Sequence, residues 1–243
     1  MAVESLLPHL KLQDLSESIR SGKKVVAPNS LHSWLIAQAA NLKSDNQSAP
    51  ILVVTPGSTL DLQRELNEIA PELIIESFPN WETLPHERLS PKSDTVTARF
   101  KALNNLRNRE SKYIVCSIRA LLQPIIANDL ENSQIRIRKN ESIRMADLIE
   151  QLSRFGYLRS DLVEKRGDFA VRGGILDLFP PDQEHPIRID FFADEIDELT
   201  YFAISDQRSL DPISSEVVIY PCRELIIDEG VKARAKALGE KFP

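Results

Sequence analysis

The chain has 243 residues, 42% hydrophobic and 27% charged, enough apolar content for one or two folded domains and too little charge for a disordered chain. Its 36 acidic residues outnumber 30 basic ones, giving a net charge of −6, which argues against a free-standing nucleic-acid-binding domain, where phosphate neutralisation requires a basic excess. The two cysteines and four scattered histidines have no zinc spacing, so neither a metal nor a cofactor is expected.

In chain order, residues 12–19 carry apolar positions at helical spacing, and Lys24–Ala27 is a short strand candidate. Ser33–Leu42 is apolar and alanine-rich, a helix that Asn29 or Ser30 is placed to cap. Ile51–Thr55 is a continuous apolar run, expected as a strand buried on both faces, and Pro56-Gly57 ends it. Thr59–Ile69 is an amphipathic helix, Leu73–Phe78 a strand, Pro79–Pro91 a proline-marked loop, Thr95–Asn108 a helix and Tyr113–Ser117 another buried strand. This alternation predicts a parallel sheet covered by helices on both faces.

The pattern changes after Pro124. Ile135–Arg138 alternates apolar and charged residues, as a half-exposed strand does. Ile143–Phe155 is a helix that Gly156 terminates. Residues 168–171, 175–179, 187–192 and 196–202 are short strands, with a bend at Gly173-Gly174 and a hairpin turn at Asp194-Glu195. Glu216–Tyr220 is a further strand, expected to return to the first sheet, and residues 231–238 read as a helix. The predicted architecture is an α/β parallel-sheet domain (1–124), an inserted α+β antiparallel-sheet domain (125–210) and a return strand and helix joining the first domain (211–243). Ending on that helix suggests either part of a longer chain or a helix packed on a segment not present. Cys116 and Cys222 lie in apolar stretches and read as buried free thiols of a reducing compartment. There is no basic-then-apolar leader and no run long enough to span a bilayer, so a cytoplasmic location without a membrane partner is expected.

Catalytic constellations fail one by one. In an α/β domain, phosphate binds where backbone N–H groups cluster at the first strand-to-helix turn. Here that turn is Ala27-Pro28-Asn29-Ser30-Leu31-His32-Ser33, without glycine or a Lys-Ser/Thr pair, and Pro28 removes an N–H. No Gly-x-Ser-x-Gly elbow occurs. The acids Asp194, Glu195, Asp197 and Glu198 straddle a turn and read as solvated, and nothing near His86 supports proton transfer. No catalytic residue is assigned.

Two segments are more specific than a fold requires. One is the loop Pro79–Pro91, with Trp81 and three prolines, followed by Arg99; a packed loop over the sheet end explains it equally well. The other is Tyr157–Pro180. There, strand alternation sets Phe169 and Val171 inward, and Ala170 and Arg172 outward. Arg159 and Arg166 sit in turns just before, and Arg188 opens a later strand. Arginines gathered on one face of an acidic protein suggest a docking surface for carboxylates, because the guanidinium fork pairs bidentately and loses little hydration. A scattered, solvated set of surface charges is the alternative.

The segments Trp81-Glu-Thr-Leu-Pro85 with Ser90-Pro91 and Arg99, Gly167–Pro180, Arg188–Asp197 and Ser205–Leu210 resemble the N-terminal region of the bacterial transcription-repair coupling factors (Mfd). That region is in turn similar to the damage-recognition helicase UvrB. The resemblance implies a degenerate RecA/helicase-like first domain that has lost its phosphate loop, and a second domain that docks UvrA. Nucleotide excision repair would thereby be recruited to stalled RNA polymerase. It also implies that the ATP-dependent translocase, with its polymerase and DNA contacts, lies in other domains, and that this segment alone binds UvrA constitutively. Arg159, Arg166, Arg172 and Arg188 match UvrB arginines, with Arg159 and Arg172 the leading candidates, whereas Ala170 departs from that pattern. Direct DNA binding by the same arginines is the alternative function.

Overall fold

The structure is a computed structural model that describes residues 18, 21–41, 50–83, 87, 89–111, 113–125, 133–226 and 229–241. The expected helix at 12–19 (Ser18 apart), most of the loop 43–50, and His86 lie outside the described residues. The chain divides into two compact units. One comprises the described residues up to Phe78 and from Asn105 to Ile118. The other comprises Pro79–Asn104 and those from Arg119 onward.

The first unit holds α1 (His32–Asn41), β1 (Ile51–Val54), α2 (Thr59–Ile69), β2 (Ile75–Phe78) and β3 (Tyr113–Cys116). The strands form a parallel sheet in the order β1-β3-β2. Alternation along each strand places Ile51, Val53, Ile75, Tyr113 and Val115 on one face, packed with Ala37 and Leu66 of the helices. The Ser58 hydroxyl caps α2 by accepting from the Asp61 N–H at 3.2 Å.

Three expectations change in this unit. Lys24–Ala27 is not a strand. Val26 is 85% exposed, so pairing there would bury little apolar surface to offset the ordering of the backbone. Neither Asn29 nor Ser30 caps α1. Asn29–Leu31 instead form a 3-10 turn after Pro28, whose ring fixes φ at −57°, and the Leu31 N–H donates to the Pro28 carbonyl at 2.9 Å. β1 is covered on one face only: Ile51 and Val53 pack on the core, while Leu52 and Val54 on the other face are about half exposed.

The second unit contains α3 (Ser93–Arg107) up to Asn104 and most of α4 (Ile118–Leu122). There follow β4 (Ile135–Ile137), α5 (Met145–Arg154), β5 (Leu158–Arg159), β6 (Asp168–Arg172) and β7 (Ile175–Leu178). β8 (Ile187–Phe192), β9 (Glu195–Phe202), β10 (Ser209–Pro212), β11 (Val217–Ile219) and α6 (Glu229–Lys241) complete it. Six strands form one sheet in the order β10-β9-β8-β7-β6-β5, antiparallel except for the parallel β5–β6 pair. β11 pairs antiparallel with β4 in a separate two-stranded ribbon. The strand expected to return to the first sheet therefore does not do so. Ile135, Ile137, Val217 and Ile219 need a shared apolar cover, and they find it in the large core that also holds the sheet. Glu216 accepts from both Arg136 and Arg138 on the solvent side of that ribbon.

That core joins Leu148 and Leu152 of α5, Phe155 and Tyr157 to the inward residues Phe169, Leu176, Leu178, Ile187, Ile189, Ile196 and Leu199 of the sheet. α5 ends as expected: Phe155 caps it, and Gly156 follows at φ +86°, a conformation disfavoured for L side chains. A bulge in the β8–β9 pairing, where Asp190 faces Glu198 but Phe191 faces Ile196, lets Ile196 and Leu199 both point inward although they are three residues apart. Cys116 is buried and Cys222 half-buried, both free thiols. Burial pushes the Cys222 thiol up to about 12.

Candidate docking surface

The outer face of the six-stranded sheet is built by register. Ala170 pairs with Asp177, Asp177 with Arg188, and Arg188 with Thr200, so these four side chains form one row across β6, β7, β8 and β9. Arg172, Ile175, Asp190 and Glu198 form the next row. One end of this face is not open. Ala170, Phe179 and Phe202 pack there with Val163 in a small second core. Ala170 is thus buried rather than exposed, and the site where an arginine was missing is filled by packing. Arg172 and Phe192 stay open to solvent, Phe192 at 78% exposure.

Asp177 organises the charge of this face. Its side chain is 1% exposed, and both oxygens are engaged by arginine. Arg188 grips it with a fork, Nε to Oδ1 at 2.8 Å and Nη2 to Oδ2 at 3.0 Å. Arg172 Nη2 donates to Oδ2 at 2.5 Å. Arg188 is further fixed by donating through Nη1 to the Gln207 carbonyl at 3.1 Å and by lying 4.8 Å over the Phe202 ring. Gln207 adopts φ +61° in the turn that follows β9. The hydrogen bonds that Arg188 donates to Asp177 hold its guanidinium above the ordinary value, against the opposing effect of burial. In the next row, burial is the main cause that raises the Asp190 carboxyl, while Arg188 opposes it.

The four candidate arginines do not come together as one patch. Arg172 and Arg188 meet at Asp177. Arg166 lies 5.7 Å over Phe179, donates to the Gln183 carbonyl at 3.2 Å and sits 3.6 Å from Asp94. It precedes β6, so the length of that strand, roughly 13 Å at 3.3 Å per residue, separates it from Arg172. Arg159 pairs in register with Phe169 in the parallel β5–β6 ladder, which assigns it to the opposite face. Arg159 in β5 and Arg172 at the end of β6 read as one cluster in the sequence; only the β5–β6 register separates their faces. Sequence reasoning missed Asp177, whose hydrophobic neighbours Leu176 and Leu178 made it an unremarkable strand position, and it missed Phe192. The signal for both was present: alternation along Ile175–Leu178 sends Asp177 to the side opposite Leu176 and Leu178, and along Ile187–Phe192 it sends Arg188, Asp190 and Phe192 to one side.

The other specific segment packs by itself within the second unit. Arg99 is 2% exposed and donates to the carbonyls of Pro79 at 2.9 Å and Pro124 at 3.2 Å. It lies 5.0 Å over the Trp81 ring and 3.7 Å from Glu224. Burial lowers the Arg99 guanidinium and raises the Glu224 carboxyl, and each partner opposes the shift in the other. Trp81, Glu224, Arg166, Cys222 and Leu158 border an open cavity of about 880 Å³. Elsewhere, two N–H groups of the turn after Ala27 are used within the turn, Leu31 on Pro28 and His32 on Asn29. Among the described residues no His, Cys, Asp and Glu group is arranged to hold a metal, and no helix is long and apolar enough to cross a membrane.

Residues 135–225, which span the ribbon, α5 and the whole six-stranded sheet, match the UvrB interaction domain family. The chain is 38% identical over 211 residues to a transcription-repair-coupling factor of Mycobacterium bovis, and 29% identical over 198 residues to that of Escherichia coli. These alignments take in 81% and 80% of the chain. It is 27% identical over 248 residues to the UvrABC system protein B of Thermotoga neapolitana, across 96% of the chain. It spans 17% of the length of these coupling factors and 35% of that of the UvrABC protein. The chain is accordingly an N-terminal region of the Mfd and UvrB type, built around a UvrB interaction domain.

Proposed function

We propose that this chain docks UvrA through the outer face of its six-stranded sheet, and so brings nucleotide excision repair to stalled RNA polymerase. The match of residues 135–225 to the UvrB interaction domain carries this reading, because that segment and the arginine-bearing sheet coincide. The segment does no catalysis in this reading. Its first unit is a degenerate helicase-type domain, and ATP hydrolysis, polymerase and DNA contacts belong to the remaining length of proteins of the coupling-factor type. Arg172 and Arg188 are the proposed contact residues of this face, with Arg166 before β6 at its edge, while Arg159, on the opposite face, is left outside the contact. Arg172, exposed beside the open end of the sheet, is at the centre, and Phe192 supplies an apolar anchor on the same face.

Calorimetric titration of the chain with purified UvrA tests this. Arg172→Ala should weaken binding by about 2 kcal/mol, as truncation of an interface arginine commonly does. Phe192→Ala should also weaken it, while Arg159→Ala, on the opposite face, should do less. Unchanged affinity in a folded Arg172→Ala variant sinks the reading. A larger loss from Arg159→Ala moves the interface to the other side of the sheet.

A further inference from the structure

We infer that Asp177 is a positioning residue of the docking face, a buried carboxylate that holds Arg172 and Arg188 in register to grip an acidic side chain of the partner. The inference rests on the UvrA-docking reading above. The cluster contains two guanidinium groups and one carboxylate, so it keeps an excess positive charge after internal pairing. The two arginines are not equivalent. Arg188 is 14% exposed and tied to Asp177, to the Gln207 carbonyl and to the Phe202 ring. Arg172 is 47% exposed, and its bond to Asp177 uses Nη2, leaving Nε and Nη1 without a partner among the described residues. A partner carboxylate would find donors already oriented by a group it never touches.

The physical gain lies in preorganisation. A free arginine side chain loses considerable rotamer entropy when it is fixed in an interface. Here part of that loss is taken at folding, because Asp177 is buried within β7 and its oxygens accept from both guanidinium groups. The same carboxylate opposes long-range attraction, since it cancels positive charge beneath the contact. Positioning and charge therefore predict opposite signs for its removal.

Asp177→Asn adds one positive charge to the face and keeps the shape. If charge attraction alone governs docking, affinity for UvrA rises. If Asp177 positions the arginines, affinity falls by about tenfold, through faster dissociation, while the association rate is unchanged or slightly higher. A double-mutant cycle sharpens this: once Arg172 is alanine, Asp177→Asn should cost little more, less than about twofold, because its target is gone. A merely structural role gives additive losses, and either additivity or a rise in affinity overturns the inference. Arg172→Lys, in which Asp177 is untouched, covers the case in which Asp177→Asn does not fold. It keeps the charge but replaces the planar fork with an ammonium, so positioning predicts a loss close to that of Arg172→Ala, whereas charge alone predicts retention. Should Arg172→Ala itself leave UvrA affinity intact, the docking reading fails; should it weaken binding while Asp177→Asn and Arg172→Lys do not, only the role of Asp177 fails.

Discussion

Three arginines in the second unit pair with largely buried carboxylates, and the use of each follows from its remaining donors. Arg188 and Arg172 share Asp177 at the surface of a sheet, and Arg172 keeps open donors. Arg99 gives its donors to the Pro79 and Pro124 carbonyls and the Glu224 carboxylate, tying the start of the proline-rich loop to Pro124 and Glu224 while it lies over the Trp81 ring. Its role is stability. Arg99→Met preserves much of the side-chain volume but strands two carbonyls and leaves Glu224 without its cation. Removing one member of a buried pair is costly, so a loss of about 3 kcal/mol is expected in urea unfolding. A change below about 1 kcal/mol would mean that the loop is not held from this residue. The residue was legible in the sequence only as part of a motif; its burial depends on Pro79, Pro124 and Glu224, none of which is local to it.

Among the elements, local pattern located most strands and helices to within a residue or two. Ile187–Phe192 is a strand over its expected span, and α2, β2, β3, α5 and β9 lie close to theirs. Pairing was far less legible. β11 was expected beside the first sheet and lies beside β4, because an alternating strand specifies that it has one buried face and not which partner supplies it. For the same reason the sequence placed Arg159 and Arg172 on one face, although the β5–β6 register separates them. The β8–β9 hairpin shows a finer limit. Its turn was expected at Asp194-Glu195, yet Ala193 is the residue at φ +55° and Glu195 already belongs to β9. Two-residue hairpins favour such left-handed turns, and alanine adopts them only under strain. Ala193→Gly should therefore raise thermal stability by about 0.5–1 kcal/mol, the relief of strain outweighing the added freedom of the unfolded chain. A destabilised variant would show that the turn is held by packing of the Ala193 methyl group instead.

For the whole molecule, an acidic chain with several partly buried carboxyls has a definite response to pH. Burial raises Asp182 above the ordinary carboxylate value, and Lys101, 3.6 Å away, opposes the shift without cancelling it. Glu224 and Asp190 are raised for the same first reason. A carboxyl raised in the folded state binds its proton more tightly there than in the unfolded chain. Between the ordinary and the raised values the folded state then holds more protons, so stability falls as pH rises through that window and the cost is fully present above it. Glu216 is displaced the other way by Arg138 and Arg136, against a desolvation effect, and its contribution is lost on acidification. It lies on the solvent side of the ribbon, where such pairs are screened and contribute little, so the buried groups set the sign. Asp182→Asn isolates one of them, since Lys101 is 37% exposed and can be solvated without its partner. At neutral pH the variant should match or exceed the parent chain in urea unfolding. As pH falls through the raised value that advantage should shrink, because the parent's own carboxyl becomes neutral. If the advantage instead grows on acidification, Asp182 is held as a stabilised carboxylate, and Lys101 rather than burial governs it.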